Sequence, residues 1–190
     1  MNIVIVGAGS MGCLLGGYLA RAEHDVFLVD VVEERVAAVV ERGISVEGVG
    51  GDFDVEAGAG TRYEGPAPDL VLVCVKAYDT DRAAAQIAGW IGDDTTVVTL
   101  QNGVGNIEHL AHHLSREQLV AGTTSLGANL LRPGHVHHAG EGDTFLGDLA
   151  GEELENSTRI AKVLTDARIP AQATENIHRL IWGKLAVNVG

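Results

Sequence analysis

Short apolar runs alternate with longer amphipathic ones along the chain. Ile3–Val6, Val26–Val29, Leu70–Val75 and Val97–Leu100 are rich in β-branched residues and bounded by turn residues, which predicts strands. Between them the spacing predicts helices over Met11–Arg21, Glu33–Arg42, Asp81–Trp90 and Ile107–Leu114. Strands alternating with helices imply βαβ crossovers, a mainly parallel sheet and an α/β fold. Glycine-rich Val46–Gly60 reads as a hairpin or irregular excursion, and Gly65-Pro66-Ala67-Pro68 as a turn. Beyond Ala121 shorter strands are expected around Ala121–Leu131, His135–His138 and Thr144–Leu146. A long helix over Glu152–Ala167 follows, with Ile160, Val163 and Leu164 along one stripe, then an edge strand over Ile169–Ala173. Thr174 offers an N-cap for a last helix through Ile177, Leu180, Ile181, Leu185 and Val189, a pattern still running uncapped at Gly190.

Composition narrows the class. A 46% hydrophobic fraction with only 4% aromatics means a core of Val, Leu, Ile and Ala, which suits a parallel sheet covered on both faces. No run approaches the roughly 18 apolar residues of a membrane span. Met1-Asn2 leads straight into Ile3-Val4-Ile5-Val6, without the basic leader of a signal peptide, so a cytoplasmic location is expected. Cys13 and Cys74, the only cysteines, fall in segments read as buried and suit free thiols. A net charge of −13 argues against a nucleic-acid partner. Lys76, Lys162 and Lys184 are the only lysines, which fits either a salt-adapted or a GC-rich source.

The first chemical signal is Gly7-Ala8-Gly9-Ser10-Met11-Gly12, a G-x-G-x-x-G loop directly after a strand and opening a helix. Gly7 permits the tight turn, Gly9 lets backbone approach a pyrophosphate, and Gly12 lets the helix pack on the strand. Amides at the helix start then face the phosphate charge. Asp30 closes the next strand, where an acid can accept both ribose hydroxyls of NAD and repel a 2′-phosphate. Arg35 lies near enough in sequence to soften that repulsion.

Other signals are weaker. His109 and His113 share a helical face, but no third ligand stands nearby in sequence, so no metal is expected and a solvated helix end is the reading. Alternation puts His135 and His137 on one face of a hairpin, again without a metal. Cys13 sits at a helix start, where thiol pKa values fall, but also in the helix expected to pack on the sheet, which favours an inert role.

Several motifs then line up in order. After the glycine loop come Val73-Cys74-Val75-Lys76-Ala77-Tyr78, Leu100-Gln101-Asn102-Gly103-Val104-Gly105-Asn106 and Gly122-Thr123-Thr124-Ser125. Gly134-His135-Val136-His137-His138-Ala139-Gly140-Glu141-Gly142 and Trp182-Gly183-Lys184-Leu185-Ala186-Val187-Asn188 complete the series. Together they resemble the ketopantoate reductase (2-dehydropantoate 2-reductase) family, which makes pantoate for coenzyme A synthesis. The resemblance covers essentially the whole chain.

The resemblance implies a Rossmann-type NAD(P)-binding domain over residues 1–173. Residues 174–190 would then be the first helix of a C-terminal helical domain that the sequence does not complete. It implies that Lys184 is the catalytic proton donor and that Asn188, one turn on, is a substrate ligand. Asn102 would contact both cofactor and substrate, Lys76 would lie close to the cofactor, and Gly127 would offer it backbone. The expected reaction is reduction of 2-dehydropantoate by NADH or NADPH, NADH being favoured because Asp30 stands where better-known NADP-dependent members carry arginine. The alternatives are a reductase of another small 2-keto acid, or a catalytically silent NAD(H)-binding sensor. The chemistry agrees independently: reducing a 2-keto acid needs a proton for the developing alkoxide, and a buried lysine of lowered pKa can give it. A chain ending at Gly190 is expected to bind cofactor but turn over poorly. Its apolar helix face at Ile177, Leu180, Ile181 and Leu185 is expected to be exposed and to seek a partner, as in a homodimer.

Overall fold

The computed structural model describes residues 1–151 and 153–189, the last three by backbone only. The chain opens with β1 (Asn2–Val6), α1 (Ser10–Arg21), β2 (Asp25–Val29) and α2 (Glu33–Arg42). Three short strands follow, β3 (Ile44–Gly48), β4 (Phe53–Val55) and β5 (Gly58–Gly60). Next come β6 (Leu70–Val73), α3 (Thr80–Ile87), β7 (Thr96–Thr99), α4 (Asn106–Ala111) and β8 (Leu119–Thr124). The remainder is β9 (Gly127–Arg132), β10 (His135–Gly140), β11 (Thr144–Asp148), α5 (Glu155–Asp166), β12 (Ala171–Ala173) and α6 (Ile177–Val189).

Eight strands form one sheet in the order β12-β11-β8-β7-β6-β1-β2-β5. Every neighbouring pair from β5 to β8 is parallel; β11 alone runs antiparallel to its neighbour β8. Alternation along β1 divides the core in two. Ile3 and Ile5 face α1 with Leu14, Leu15 and Leu28, while Val4 and Val6 face the other way with Val71, Ile87 and Leu110. Both faces are therefore covered, as the near-continuous apolar strands require.

The excursion after α2 has a purpose the periodicity did not disclose. β3 and β4 form an antiparallel hairpin, and β3 then pairs with β10 in a second sheet of order β4-β3-β10-β9. That sheet packs over α1, so α1 lies between two sheets and Gly12 to Leu19 are all buried. The apolar segment expected over Ala121–Leu131 is divided between the sheets: β8 belongs to the large one and β9 to the small one. The turn between them is held where Ser125 N–H donates to the Asp143 carbonyl at 3.0 Å. α5 spans Glu155–Asp166; the expected start at Glu152 lies outside the described residues.

The final helix begins on the sheet, with Ile177 buried and packed where a side chain at Gly147 would otherwise stand. This corrects the reading of α6 as an exposed apolar face. Leu180, Ile181 and Leu185 are half-buried, and Trp182 is the exposed large side chain. No described helix is long and apolar enough to cross a membrane.

Candidate functional site

A doubly wound sheet opens a crevice at the carboxyl ends of its strands where the strand order reverses. Here that point lies between β1 and β6, neighbours from which the chain departs in opposite directions across the sheet. The loop after β1 carries the glycines; the segment after β6 carries Cys74, Val75 and Lys76.

Two of the glycines are dictated by close approach. Gly7 has φ +108°, and a Cβ there would meet the Cys74 carbonyl group at 2.9 Å. A Cβ on Gly12 would lie 1.8 Å from the Gly7 carbonyl oxygen, so no larger residue lets α1 start here. Gly9 differs: a Cβ there meets nothing within 4 Å, so the space above it is open to the cleft. Gly9 is also the N-cap of α1, and no side chain caps its amides. Uncapped amides facing an open cleft are what an anion at a helix start requires.

The cleft runs in two adjoining halves. One, of about 440 Å³, reaches from Gly9 and Ser10 past Asp30 and Val32 to Arg35. The other, of about 580 Å³, reaches from Gly9, Ser10 and Met11 past Gln101 and Asn102 to Thr124 and Lys184. Lys76 and exposed Tyr78 stand in the wall of both. Ala8 lies buried just beneath. Glycine loop, Asp30, Lys76, Asn102 and Lys184 thus meet in one cleft, although their positions span most of the sequence.

Asp30 is 7% exposed at the end of β2. Its Oδ2 accepts the Ala8 amide at 2.8 Å and Arg35 Nη1 at 3.1 Å; its Oδ1 accepts the Val32 amide at 2.9 Å. A carboxylate offers about four acceptor positions, so roughly one is left. Asp30 therefore holds the glycine loop onto β2 as well as facing the cleft. Accepting two hydroxyls of one ribose needs Arg35 to move off Oδ2.

At the other end, Lys184 of α6 donates from Nζ to the Thr124 carbonyl at 2.6 Å. Burial lowers its pKa below the ordinary lysine value. An ammonium has three donors, so the two left over are available to a ligand. Asn102 is exposed on the opposite wall, its carbonyl accepting Asn106 Nδ2 at 3.2 Å. Asn188 lies in the last turn of α6, outside the residues whose side chains are described.

Gly127 starts β9, and the cleft wall beside it is formed by Leu126 and Ala128. A Cβ on Gly127 would lie 3.1 Å from the Gly140 amide, so close pairing of β9 with β10 already accounts for a glycine there. Cys13 is buried, and burial pushes its thiol up to about 11, which makes it the inert packing residue expected.

Two residues were not singled out from sequence. Gln101 donates from Nε2 to the Val75 carbonyl and to Thr80 Oγ1, both at 2.8 Å, and accepts Thr99 Oγ1 at 3.0 Å. It fastens the end of β7 to the segment carrying Lys76, setting the width of the cleft. Tyr78 is 85% exposed, an aromatic ring unusually open to solvent for its size. The motifs around both were visible, but nothing in their spacing shows which side chain bridges strands or rims a cavity.

Comparison with known proteins agrees with this geometry. The family described as "Ketopantoate reductase PanE/ApbA" matches residues 3–151. A 2-dehydropantoate 2-reductase of Halobacterium salinarum is 36% identical over all of this chain and 63% of its own length. One from Archaeoglobus fulgidus is 36% identical, over 98% of this chain and 60% of its own. Among solved structures, D-mandelate dehydrogenase with NADH and anilino(oxo)acetate superposes with a TM-score of 0.93 at 28% identity. That match covers 99% of this chain and 61% of the other. A 2-dehydropantoate 2-reductase from Geobacter metallireducens gives 0.89 at 31% identity, covering all of this chain and 63% of its own. The chain therefore spans a little over three-fifths of the length of these relatives. Sequence match, strand order and glycine loop all agree: this chain belongs to the ketopantoate reductase family.

Proposed function

We propose that the protein of which this chain is part reduces 2-dehydropantoate to pantoate, with NADH favoured over NADPH and Lys184 as proton donor. The observation that carries the reading is that Lys184 Nζ opens onto the same cleft as the uncapped start of α1. The residues fit a dinucleotide: open space above Gly9, free amides for a pyrophosphate, and an acid at the end of β2 for a ribose. Such a cofactor carries the hydride that reduces the carbonyl carbon.

The chain's residues supply the rest. Lys184 keeps a proton on Nζ and passes it to the oxygen of the former carbonyl as that oxygen gains charge. Its lowered pKa brings proton release closer to neutral pH. The Thr124 carbonyl fixes the Nζ position through one donor, leaving the others for the substrate oxygen. Asn102 and Asn188 are assigned to the substrate's polar groups, Lys76 to the cofactor near the point where the two halves meet. Residues 1–173 serve the dinucleotide, and α6 begins the substrate-binding part.

A second reading is favoured by the similarity to D-mandelate dehydrogenase, which binds anilino(oxo)acetate: another small 2-keto acid as substrate. Initial rates for the complete protein with a panel of 2-keto acids separate the two. Preference for 2-dehydropantoate supports the first, and preference for an aryl or unbranched keto acid supports the second. Saturable NADH binding with no turnover of any member leaves a sensor.

A further inference from the structure

Outside the cleft, the first turn of α3 and the exposed side of α4 gather four side chains able to ligate a metal. Asp81 stands in the first turn of α3. His109 lies in α4, with His112 and His113 just after its last residue, Ala111. Positions three and four apart share a helix face, and this face looks onto Asp81. One ligand atom from each of Asp81, His109 and His112 lies within 4.8 Å of the other two. His113 Nε2 is 3.1 Å from Asp81 Oδ1, and His109 Nδ1 is 3.8 Å from the same oxygen. The sequence showed the histidines but no third ligand; the fold brings a candidate one from a neighbouring helix.

We propose that Asp81, His109 and His112 bind a late first-row divalent transition metal ion such as Zn²⁺, with His113 holding the Asp81 carboxylate in position. Two imidazoles and one carboxylate are a borderline donor set that suits Zn²⁺, Ni²⁺ or Cu²⁺ and not the oxygen-seeking Ca²⁺ or Mg²⁺. Ligand bonds of about 2.0–2.2 Å in a tetrahedral site put donor atoms about 3.4 Å apart. The side chains need only small rotations to reach that spacing, and being exposed they are free to make them. Water completes the coordination from the solvent side. His113 acts as an outer partner, donating to a ligating carboxylate as such partners commonly do.

The site joins two helices whose starts already touch beneath it. Thr80, the residue before Asp81, donates from Oγ1 to Asn106 Oδ1 at 3.1 Å in the protein interior. The ion therefore ties the segment after Lys76 to the loop after Asn102 from outside the cleft.

The test is calorimetric titration of Zn²⁺ into the full chain, free of metal and of any histidine tag, at neutral pH. One saturable site per chain is expected, weakened about tenfold or more by His109→Ala and by His112→Ala, with His113→Ala also weakening it by about tenfold. All three positions are exposed, and circular dichroism checks that each variant folds. Asp81→Asn gives an independent loss with little change of shape. His135→Ala is the control, because His135 pairs with Glu47 at 2.9 Å in the small sheet; it should leave binding unchanged. Absence of a saturable site overturns the proposal. So does a site that survives His109→Ala and His112→Ala, or one that disappears with His135→Ala.

Discussion

Arg35 lies folded onto Asp30, its Nη1 3.1 Å from an Oδ2 that also accepts the Ala8 amide. The acid expected to reject a 2′-phosphate is thus part-neutralised by a guanidinium that is 37% exposed. Cofactor selection becomes a competition between the two. Arg35→Ala should sharpen NADH preference by about tenfold, equivalent to about 1.4 kcal/mol, because a bare carboxylate then meets the phosphate. Asp30→Arg should move preference towards NADPH, but leaves the buried Ala8 amide without its acceptor, at about 1–3 kcal/mol, while the part-buried Val32 amide can turn to water. Separate NADH and NADPH titrations, with thermal melts, check both. Tighter NADPH binding by Arg35→Ala than by the unmodified protein would contradict this account of Asp30.

The glycine loop separates packing from binding. Gly12→Ala sets a methyl against the Gly7 carbonyl and should destabilise by about 3 kcal/mol or more, beyond ordinary overpacking. Gly9→Ala meets nothing in the protein and adopts a backbone conformation open to alanine, φ −82°. It should melt within about 0.5 kcal/mol of the unmodified protein yet lose NADH affinity. Equal NADH affinity in Gly9→Ala means that the pyrophosphate does not lie over this loop.

The pH dependence follows from Lys184. A donor must be protonated, so the rate is full below its pKa and falls as pH rises through it. Because burial lowers that pKa, the alkaline limb of kcat should inflect below the ordinary lysine value. An inflection at or above that value, in a profile that Lys184→Arg leaves unmoved, assigns the limb to another group.

Gln101 should behave as a positioning residue. Gln101→Ala removes the two bonds donated from the end of β7 to Val75 and Thr80, on either side of Lys76, and the bond accepted from Thr99 within β7. A loss of about 1–3 kcal/mol in stability is expected from the unpaired groups, with a larger rise in KM for cofactor than fall in kcat. Gln101→Glu keeps the acceptor and loses the donors, and should recover less than half of the lost stability. Full recovery by Gln101→Glu shows that the bonds from Nε2 do not carry the effect.

Much of the framework could be read from the sequence because parallel strands buried on both faces are apolar throughout. Val71, Val97 and their neighbours announced themselves, as did the loop where Gly12 meets Gly7. The small sheet over α1 could not be read so easily. β3 and β10 are parallel neighbours ninety positions apart, and local periodicity carries no information about such a pairing. For the same reason the chain order did not show Arg35 lying on Asp30, or Lys184 reaching the end of β8. The motifs identified which residues matter; the fold supplied their partners, and Asp81 beside the α4 histidines is the plainest example.

The most direct test is the rate of 2-dehydropantoate reduction at saturating NADH, measured for the complete protein and for its Lys184→Ala variant side by side. A drop of about 10²–10⁴-fold is expected for losing a general acid, with NADH affinity nearly unchanged because Lys184 stands beside Thr124 while the glycine loop lies where the two halves of the cleft meet. Undiminished turnover in Lys184→Ala, or loss of NADH binding together with activity, would contradict the division of roles along this cleft.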